Sequence, residues 1–285
     1  LDWWRILTVA GSPGAGKSTW LSEFRRDILS LNPDQDFDVL AFEFEMRMED
    51  QLARDLSAKL GMTVKEIYSA EEPLSDEVMA QIDEILTETS NLPVFYVDDA
   101  GTVPEVLATI ENFIGTRKIK DRDAGLVVTI DHSLITKGRQ GESEKAQVDA
   151  LYKGLVALKK YYSSREIRVT FVVLSQLNRE IQSNERVTNP KLHYPTKNDL
   201  FASSAADQCS DYIIIIHRPA TVSGMGAFYG PPRGQDFPNG FPVMCPTIVG
   251  RTMVYLHVLK ERFGSPVIIP AVEDFKNNKI EEYSF

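Results

Sequence analysis

Apolar, β-rich runs alternate with segments of helical periodicity along the first 216 residues of this 285-residue chain. The run 126–130 is nearly continuous, as expected for a central strand that is buried on both faces of a parallel sheet, whereas the end of the run 38–45 alternates apolar and acidic residues. The alternation of strand-like runs with helical segments predicts an α/β fold with a mainly parallel central sheet flanked by helices. The predicted strands are residues 5–10, 38–45, 94–97, 126–130, 169–174 and 212–216.

The pattern changes in the last quarter of the chain. Residues 219–250 are rich in glycine and proline and have no period, which indicates a long excursion. Residues 252–259 and 266–270 predict a β-hairpin, and the tail beyond it predicts an edge strand. We expect one domain, 1–285. Because the chain starts with Leu1 close to its first strand, we also expect an N-terminal domain in a longer parent protein.

A glycine-rich loop joins the first predicted strand to the first predicted helix and matches G-x-x-x-x-G-K-[ST]. The helix start offers outward N–H groups and a dipole that favours anions, so the loop predicts binding of a nucleoside triphosphate. Lys17 is expected to reach the β- and γ-phosphates, and the Ser18 hydroxyl to ligate Mg²⁺. The predicted nucleotide-binding residues are Gly11, Ser12, Pro13, Gly14, Ala15, Gly16, Lys17, Ser18 and Thr19.

Polar residues end several of the predicted strands, and ligands of parallel sheets bind beyond the carboxyl ends of strands. Asp131 is placed to hold Mg²⁺ across from Ser18. Glu45 is a candidate to orient and deprotonate water, although Glu43 lies on the same face of that strand. Gln176 is a candidate to hydrogen-bond the γ-phosphate, with an ordinary polar strand end as the alternative.

Two further groups allow two interpretations each. Asp98 and Asp99 end a strand and either join the Mg²⁺ shell or cap the next helix, and we favour the cap. Lys260 and Arg262 share one face of the last hairpin. They are either solvated surface cations or a finger that enters the nucleotide site of a neighbouring subunit.

Composition narrows the functional classes. The formal charge of −10 disfavours general coating of nucleic acid but allows basic loops inside a channel. Two cysteines without metal-ligand spacing favour a reducing cytoplasm, and no apolar run is long enough for a membrane span.

With these motifs in place, the chain resembles the RecA-like ATPase domain of DnaB-type replicative DNA helicases of bacteria and phages. The most specific match is Leu174-Ser175-Gln176-Leu177-Asn178-Arg179. Phe44-Glu45-Met46 is similar to the family's Leu-Glu-Met segment, and Lys260-Glu261-Arg262-Phe263-Gly264 to its finger strand. His132 and the Arg262-Phe263 pair look closer to the phage primase-helicases. The extra residue before Gln51 and Phe201-Ala202-Ser203-Ser204 after Leu200 depart from the family pattern.

The resemblance implies a hexameric ring that uses ATP and Mg²⁺ to move 5′→3′ on single-stranded DNA in the cytoplasm of a bacterial or phage-infected cell. It implies that Glu45 is catalytic, that Gln176 senses the γ-phosphate, and that Lys260 and Arg262 act in trans. A primase and a helicase loader are the expected protein partners. Two loops would face the DNA channel, and their cations are Lys137, Arg139, Arg179, Arg186, Lys191 and Lys197.

Two alternatives remain open from the sequence. One is a RecA- or KaiC-like ATPase that acts as a recombinase or regulator without unwinding. The other is a P-loop kinase for a small substrate, which would need an acceptor pocket and an arginine-rich lid that the sequence does not indicate.

Overall fold

A nine-stranded sheet forms the centre of the computed structural model, which describes residues 2–44, 46–68, 73–99, 101–131, 143–201 and 203–285. The strand order is β11-β10-β9-β6-β1-β5-β4-β2-β3. The strands are β1 Ile6–Gly11, β2 Phe37–Glu43, β3 Val94–Val97, β4 Gly125–Asp131, β5 Arg168–Gln176, β6 Tyr212–His217, β7 Phe228–Tyr229, β8 Phe241–Pro242, β9 Met253–Lys260, β10 Val267–Asp274 and β11 Lys279–Glu282.

Eight α-helices are found in the described part of the chain, and several of their ends follow the expected capping rules. The Thr63 side chain and Glu66 form a capping box, Ser75 caps the fourth helix, and Gly61 ends the second in a left-handed conformation. The helices are α1 Lys17–Ser30, α2 Met48–Leu60, α3 Val64–Ile67, α4 Asp76–Ser90, α5 Val103–Thr116, α6 Glu144–Ser163, α7 Asn184–Thr188 and α8 Ser203–Cys209.

Six strands, from β6 to β3, run parallel, and the next three are antiparallel, so the predicted α/β fold with a C-terminal hairpin is confirmed. Alternate residues of the parallel strands enter two separate cores. One core packs α5 and α6 against the sheet, and the other packs α1 against the opposite face. Because helices cover both faces of the sheet, a ligand-binding site can form at the ends of the strands.

Two sequence expectations need correction. Asp98 and Asp99 do not cap α5, because its N-cap is Thr102, whose backbone N–H donates to Glu105 Oε2 at 2.6 Å. The second strand ends at Glu43, earlier than the pattern predicted, and Glu45 lies outside the described residues.

The 219–250 excursion contributes the small sheet formed by β7 and β8. Tyr229 of this sheet is fully buried, and its hydroxyl hydrogen-bonds His217 Nδ1 at 2.7 Å and His257 Nε2 at 2.8 Å. These two hydrogen bonds anchor the excursion to β6 and β9. Across the described ranges, no helix has the length and apolar character needed to cross a bilayer.

Candidate nucleotide-binding site

The loop between β1 and α1 adopts a phosphate-binding conformation. Gly16, the residue before the helix, has φ 97°, which favours glycine, and Gly11 approaches the Ile216 carbonyl so closely that a Cβ would lie 2.8 Å from it. Lys17 Nζ donates to the carbonyl oxygens of Gly11 at 3.0 Å and Ser12 at 3.2 Å. The ammonium is thus held over the loop, next to the helix N-terminus that attracts phosphate.

Gln176 lies beside this loop. It ends β5 and pairs in register with Gly11 at the end of β1. Both residues stand at the carboxyl edge of the sheet, and Gln176 lines the same cavity of about 400 Å³ as the loop. The residues lining this cavity are Pro13, Gly14, Gly16, Lys17, Ser18, Thr19, Arg54, Ser57, Val64, Gln176, Phe275, Lys276 and Asn278.

Asp131 ends β4 at the same edge and is 1% exposed. Strand β5 separates β4 from β1, and the register sets Asp131 level with Val9, two residues before Gly11, so the backbones of Asp131 and Gly11 are about 12 Å apart. A buried carboxylate at this edge of the sheet suits a Mg²⁺ ion that also binds phosphate oxygens. Within the described ranges, no cluster of three His, Cys, Asp or Glu side chains could hold a metal by itself.

A buried ion pair next to Asp131 was not assigned from the sequence. Glu43, which pairs with Asp131 in register, is 2% exposed and accepts a hydrogen bond from the Arg25 guanidinium. Burial raises the pKa of Glu43 to about 7, the Arg25 charge opposes this shift, and the Asp131 carboxylate adds to it. Arg25 also donates to Thr129 Oγ1 at 3.1 Å, which fixes the end of β2 against β4.

The C-terminal turn Phe275–Asn277 closes one side of the cavity, a contact that no sequence pattern indicated. The Phe275 ring packs so closely on Gly16 that a Cβ there would lie 2.6 Å from its Cζ. Asn278 follows in the left-handed region and accepts a hydrogen bond from Thr19 Oγ1 at 3.0 Å. The Arg218 guanidinium carbon lies 4.8 Å from the centre of the Phe275 ring. A flat aromatic face thereby borders the phosphate loop.

Lys260 and Arg262 are far from the phosphate loop of their own chain. Arg262 Nη1 donates to Asp211 Oδ1 at 2.6 Å, and Asp211 in turn accepts from the backbone N–H of Ile6, the first residue of β1. The loop begins at Gly11, five residues and therefore about 17 Å along β1. A single chain consequently does not bring Lys260 and Arg262 to its own nucleotide cavity.

The predicted DNA-contacting cations of the loop after Gln176 differ in their surroundings. Arg179 and Lys191 are exposed, and Lys197 Nζ lies 3.1 Å from Asp207 Oδ1. Arg186 is held inside the loop, where it donates to the Leu192 carbonyl at 3.0 Å, to the Tyr194 carbonyl at 2.8 Å and to Asp199. Because its guanidinium is committed to these acceptors, we leave Arg186 out of the DNA contacts proposed below. Lys137 and Arg139 lie outside the described residues.

Comparison with known proteins now decides the family. Residues 4–234 match the model of the DnaB-like helicase C terminal domain. The chain belongs to this family. It is similar to the replicative DNA helicase DnaB of Mycobacterium leprae (strain TN), with 28% identity over 179 residues. That match covers 62% of this chain but 27% of the relative, so the matched segment spans about a quarter of the length of that protein.

Two solved structures share the fold of this chain. One is an ATPase domain with a TM-score of 0.73 at 17% identity, covering 100% of this chain and 86% of that one. The other, a DnaB-like replicative helicase studied with primase, has the same TM-score and identity, covering 99% of this chain and 58% of that one. Together with the family match, they confirm the sequence resemblance. The matched residues include the phosphate loop, Asp131 and Gln176, whereas Lys260 and Arg262 lie beyond them.

Proposed function

We propose that this chain is the motor domain of a hexameric replicative DNA helicase, which hydrolyses ATP to move 5′→3′ along single-stranded DNA and unwind duplex. One observation carries the proposal: the phosphate loop lies at the carboxyl end of β1, and the Lys260–Arg262 pair lies near the amino end of the same strand. A subunit with the phosphate loop on one side and the cations that complete a neighbour's site on the other is suited to head-to-tail assembly, which closes into a ring. Residues 1–285 would form one such domain of a longer protein.

ATP would bind with its phosphates on Gly11–Ser18 and its base near the Phe275 ring. Lys17 would exchange its carbonyl partners for phosphate oxygens, because an ammonium gains more from an anion than from two neutral acceptors. Ser18 and Asp131 would hold Mg²⁺, which supplies charge neutralisation for the phosphates. From the partner subunit's side, Lys260 and Arg262 would stabilise the charge that develops on the transferred phosphoryl group.

Glu45 is the proposed general base, two residues beyond Glu43 in the sequence. Gln176 is the proposed γ-phosphate contact, and the loop that follows it is fixed to this residue. Phe201 N donates to the Gln176 carbonyl at 3.0 Å, and Asn178 N donates to the Asp199 carbonyl at 2.7 Å. Both ends of the loop therefore meet at Gln176, so a movement of this side chain on loss of phosphate would be passed to the loop.

Single-stranded DNA would pass through the ring against this loop, with Arg179, Lys191 and Lys197 as phosphate contacts and Lys137 and Arg139 on the second loop. Such contacts need charge but no base recognition, so an acidic protein can use them locally. A primase or a helicase loader is the proposed protein partner, in line with the DnaB-like helicase studied with primase. A motor of this kind works at the chromosome, in the cytoplasm of a bacterial or phage-infected cell.

The direct test measures ATP hydrolysis with and without single-stranded DNA. We expect at least about tenfold stimulation, lost in Lys17→Ala and weakened by added salt as phosphate contacts are screened. A chain that assembles into rings but hydrolyses ATP equally with and without DNA would contradict the proposal. A RecA- or KaiC-like ATPase would hydrolyse ATP without displacing a paired strand, so a strand-displacement assay separates it from a helicase.

A further inference from the structure

The acidic side chain that holds Arg262 has an unusual set of partners. Asp211 lies just before β6, and its side chain is only 7% exposed. Its Oδ2 accepts from the Ile6 backbone N–H at 3.0 Å and from Lys159 Nζ at 2.7 Å. Its Oδ1 accepts from Arg262 Nη1 at 2.6 Å. One carboxylate oxygen is thus anchored to the protein interior, and the other faces the finger.

The anchoring is rigid because it uses the sheet itself. Asp211 N also donates to the Ile6 carbonyl at 2.8 Å, so Asp211 is paired with β1 through both backbone and side chain. The neighbouring Ser210 Oγ lies 2.7 Å from Thr8 Oγ1 on the same strand. Charge-assisted hydrogen bonds to a buried, fully satisfied carboxylate hold their partners in a defined geometry.

The guanidinium of Arg262 has the shape to bind Asp211 and a phosphate at the same time. It is planar and carries five N–H donors, of which one on Nη1 is used by Asp211. Among the described residues Nε and Nη2 have no hydrogen-bond acceptor, and the side chain is 52% exposed. A guanidinium can therefore stay on Asp211 and still present an edge to a phosphate, which a lysine ammonium cannot do in the same fixed orientation.

The other finger cation is held differently. Lys260 donates to the Asp207 carbonyl on α8, and its Nζ lies 3.7 Å from Asp207 Oδ1. Asp207 is 38% exposed and is shared with Lys197, so this is an exposed ion pair of little energetic weight. A β-bulge between Ile213 and Ile214 redirects the β9 strand end where Lys260 lies.

We propose that Asp211 is the positioning residue of Arg262: it fixes the guanidinium on the end of β1 so that its open edge meets the phosphates bound by the partner subunit. This inference rests on the trans-acting role proposed above for Arg262.

Mixed rings test this assignment. Subunits with Lys17→Ala keep an intact finger and serve as donors, and subunits with Arg262→Ala keep an intact phosphate loop and serve as acceptors. Mixing the two full-length chains should restore DNA-stimulated hydrolysis at donor–acceptor sites. Adding Asp211→Asn to the donor should reduce the restored rate by about tenfold, the effect of losing one charge-assisted hydrogen bond that orients a catalytic group.

Adding Asp211→Asn to the acceptor instead should leave the restored rate unchanged, because the acceptor contributes only its phosphate loop. The matched control is Asp207→Asn in the donor, which should reduce the rate less than about twofold. If Asp211→Asn prevents folding or ring assembly, Asp211→Glu keeps the charge but shifts the carboxylate. That donor should restore less hydrolysis than the Lys17→Ala donor does.

The outcomes are separable. No recovery in the first mixture, with mixed rings demonstrated, would refute the trans-acting finger and this inference with it. Full recovery with an Asp211→Asn or Asp211→Glu donor would overturn the role of Asp211 while leaving the finger in place. Loss in the acceptor as well as the donor would show that Asp211 supports its own phosphate loop, and would also overturn the inference.

Discussion

The contact between Gly16 and Phe275 allows a quantitative prediction. Gly16 and Gly14 both have positive φ, 97° and 73°, so alanine at either position has a backbone cost of about 1–2 kcal/mol. The positions differ in their surroundings. A Cβ at Gly14 meets nothing within 4 Å, whereas a Cβ at Gly16 would lie 2.6 and 2.9 Å from two carbons of the Phe275 ring.

Carbon atoms pack favourably at about 3.5–4.0 Å, so the ring would have to move by about 1 Å. Overpacking of this size costs a further ~1–3 kcal/mol. We therefore expect Gly14→Ala to lower the free energy of unfolding by about 1–2 kcal/mol and Gly16→Ala by roughly 2–5 kcal/mol. Gly16→Ala should also weaken binding of a non-hydrolysable ATP analogue more than Gly14→Ala, because the displaced ring borders the cavity.

Urea unfolding of the two alanine variants, of Phe275→Ala and of both double variants provides the test. If the clash is real, Phe275→Ala relieves part of the cost of Gly16→Ala, with a coupling of about 1–3 kcal/mol. The same substitution should not couple to Gly14→Ala. Additive effects at Gly16 within about 0.5 kcal/mol would refute the packing of the C-terminal turn against the phosphate loop.

Further predictions concern Glu43, the channel loop and the base contact. The pKa of Glu43 is raised to about 7 in the folded chain and is near 4.3 in an unfolded chain. The folded chain therefore holds this proton more tightly, so the free energy of unfolding falls as pH rises from about 4 to 7. Glu43→Gln should therefore flatten the fall in urea midpoint between about pH 4 and 7, and an unchanged pH profile would contradict this. Arg179→Ala should weaken DNA-stimulated hydrolysis and keep the unfolding midpoint, while Arg186→Ala should lower the midpoint because it leaves Asp199 unpaired. Phe275→Ala should raise the KM for ATP severalfold with a smaller change in kcat, measured by steady-state hydrolysis; an unchanged KM would argue against base packing on this ring.

Local sequence signals predicted the elements well where one physical rule dominated. The phosphate loop needs glycines and a lysine at fixed spacing, and the buried strands β4 and β5 need nearly continuous apolar runs. The Thr63–Glu66 capping box follows a rule of the same local kind, since both partners are close in the sequence. The parallel order then followed from the alternation of strands and helices.

Contacts between residues far apart in the sequence, and the details of loops, could not be predicted from these local rules. Asn278 meets Thr19 across 259 residues, and the tail pattern indicated an edge strand but not its approach to the phosphate loop. Arg186 is basic and lies in the expected loop, but the loop conformation that binds its guanidinium to acceptors of the same loop has no signal in the sequence pattern. The helix cap at Thr102 rather than Asp98 or Asp99 shows how several capping residues close together leave the boundary undetermined.

The most direct test of the central claim is the polarity of strand displacement. Rings of the full-length protein, given ATP and Mg²⁺, would be assayed on two duplexes. One carries a single-stranded 5′ tail, and the other carries only a single-stranded 3′ tail. We predict displacement of the paired strand from the 5′-tailed substrate alone, abolished by Lys17→Ala and by Arg262→Ala. DNA-dependent hydrolysis without displacement from either substrate would contradict the account.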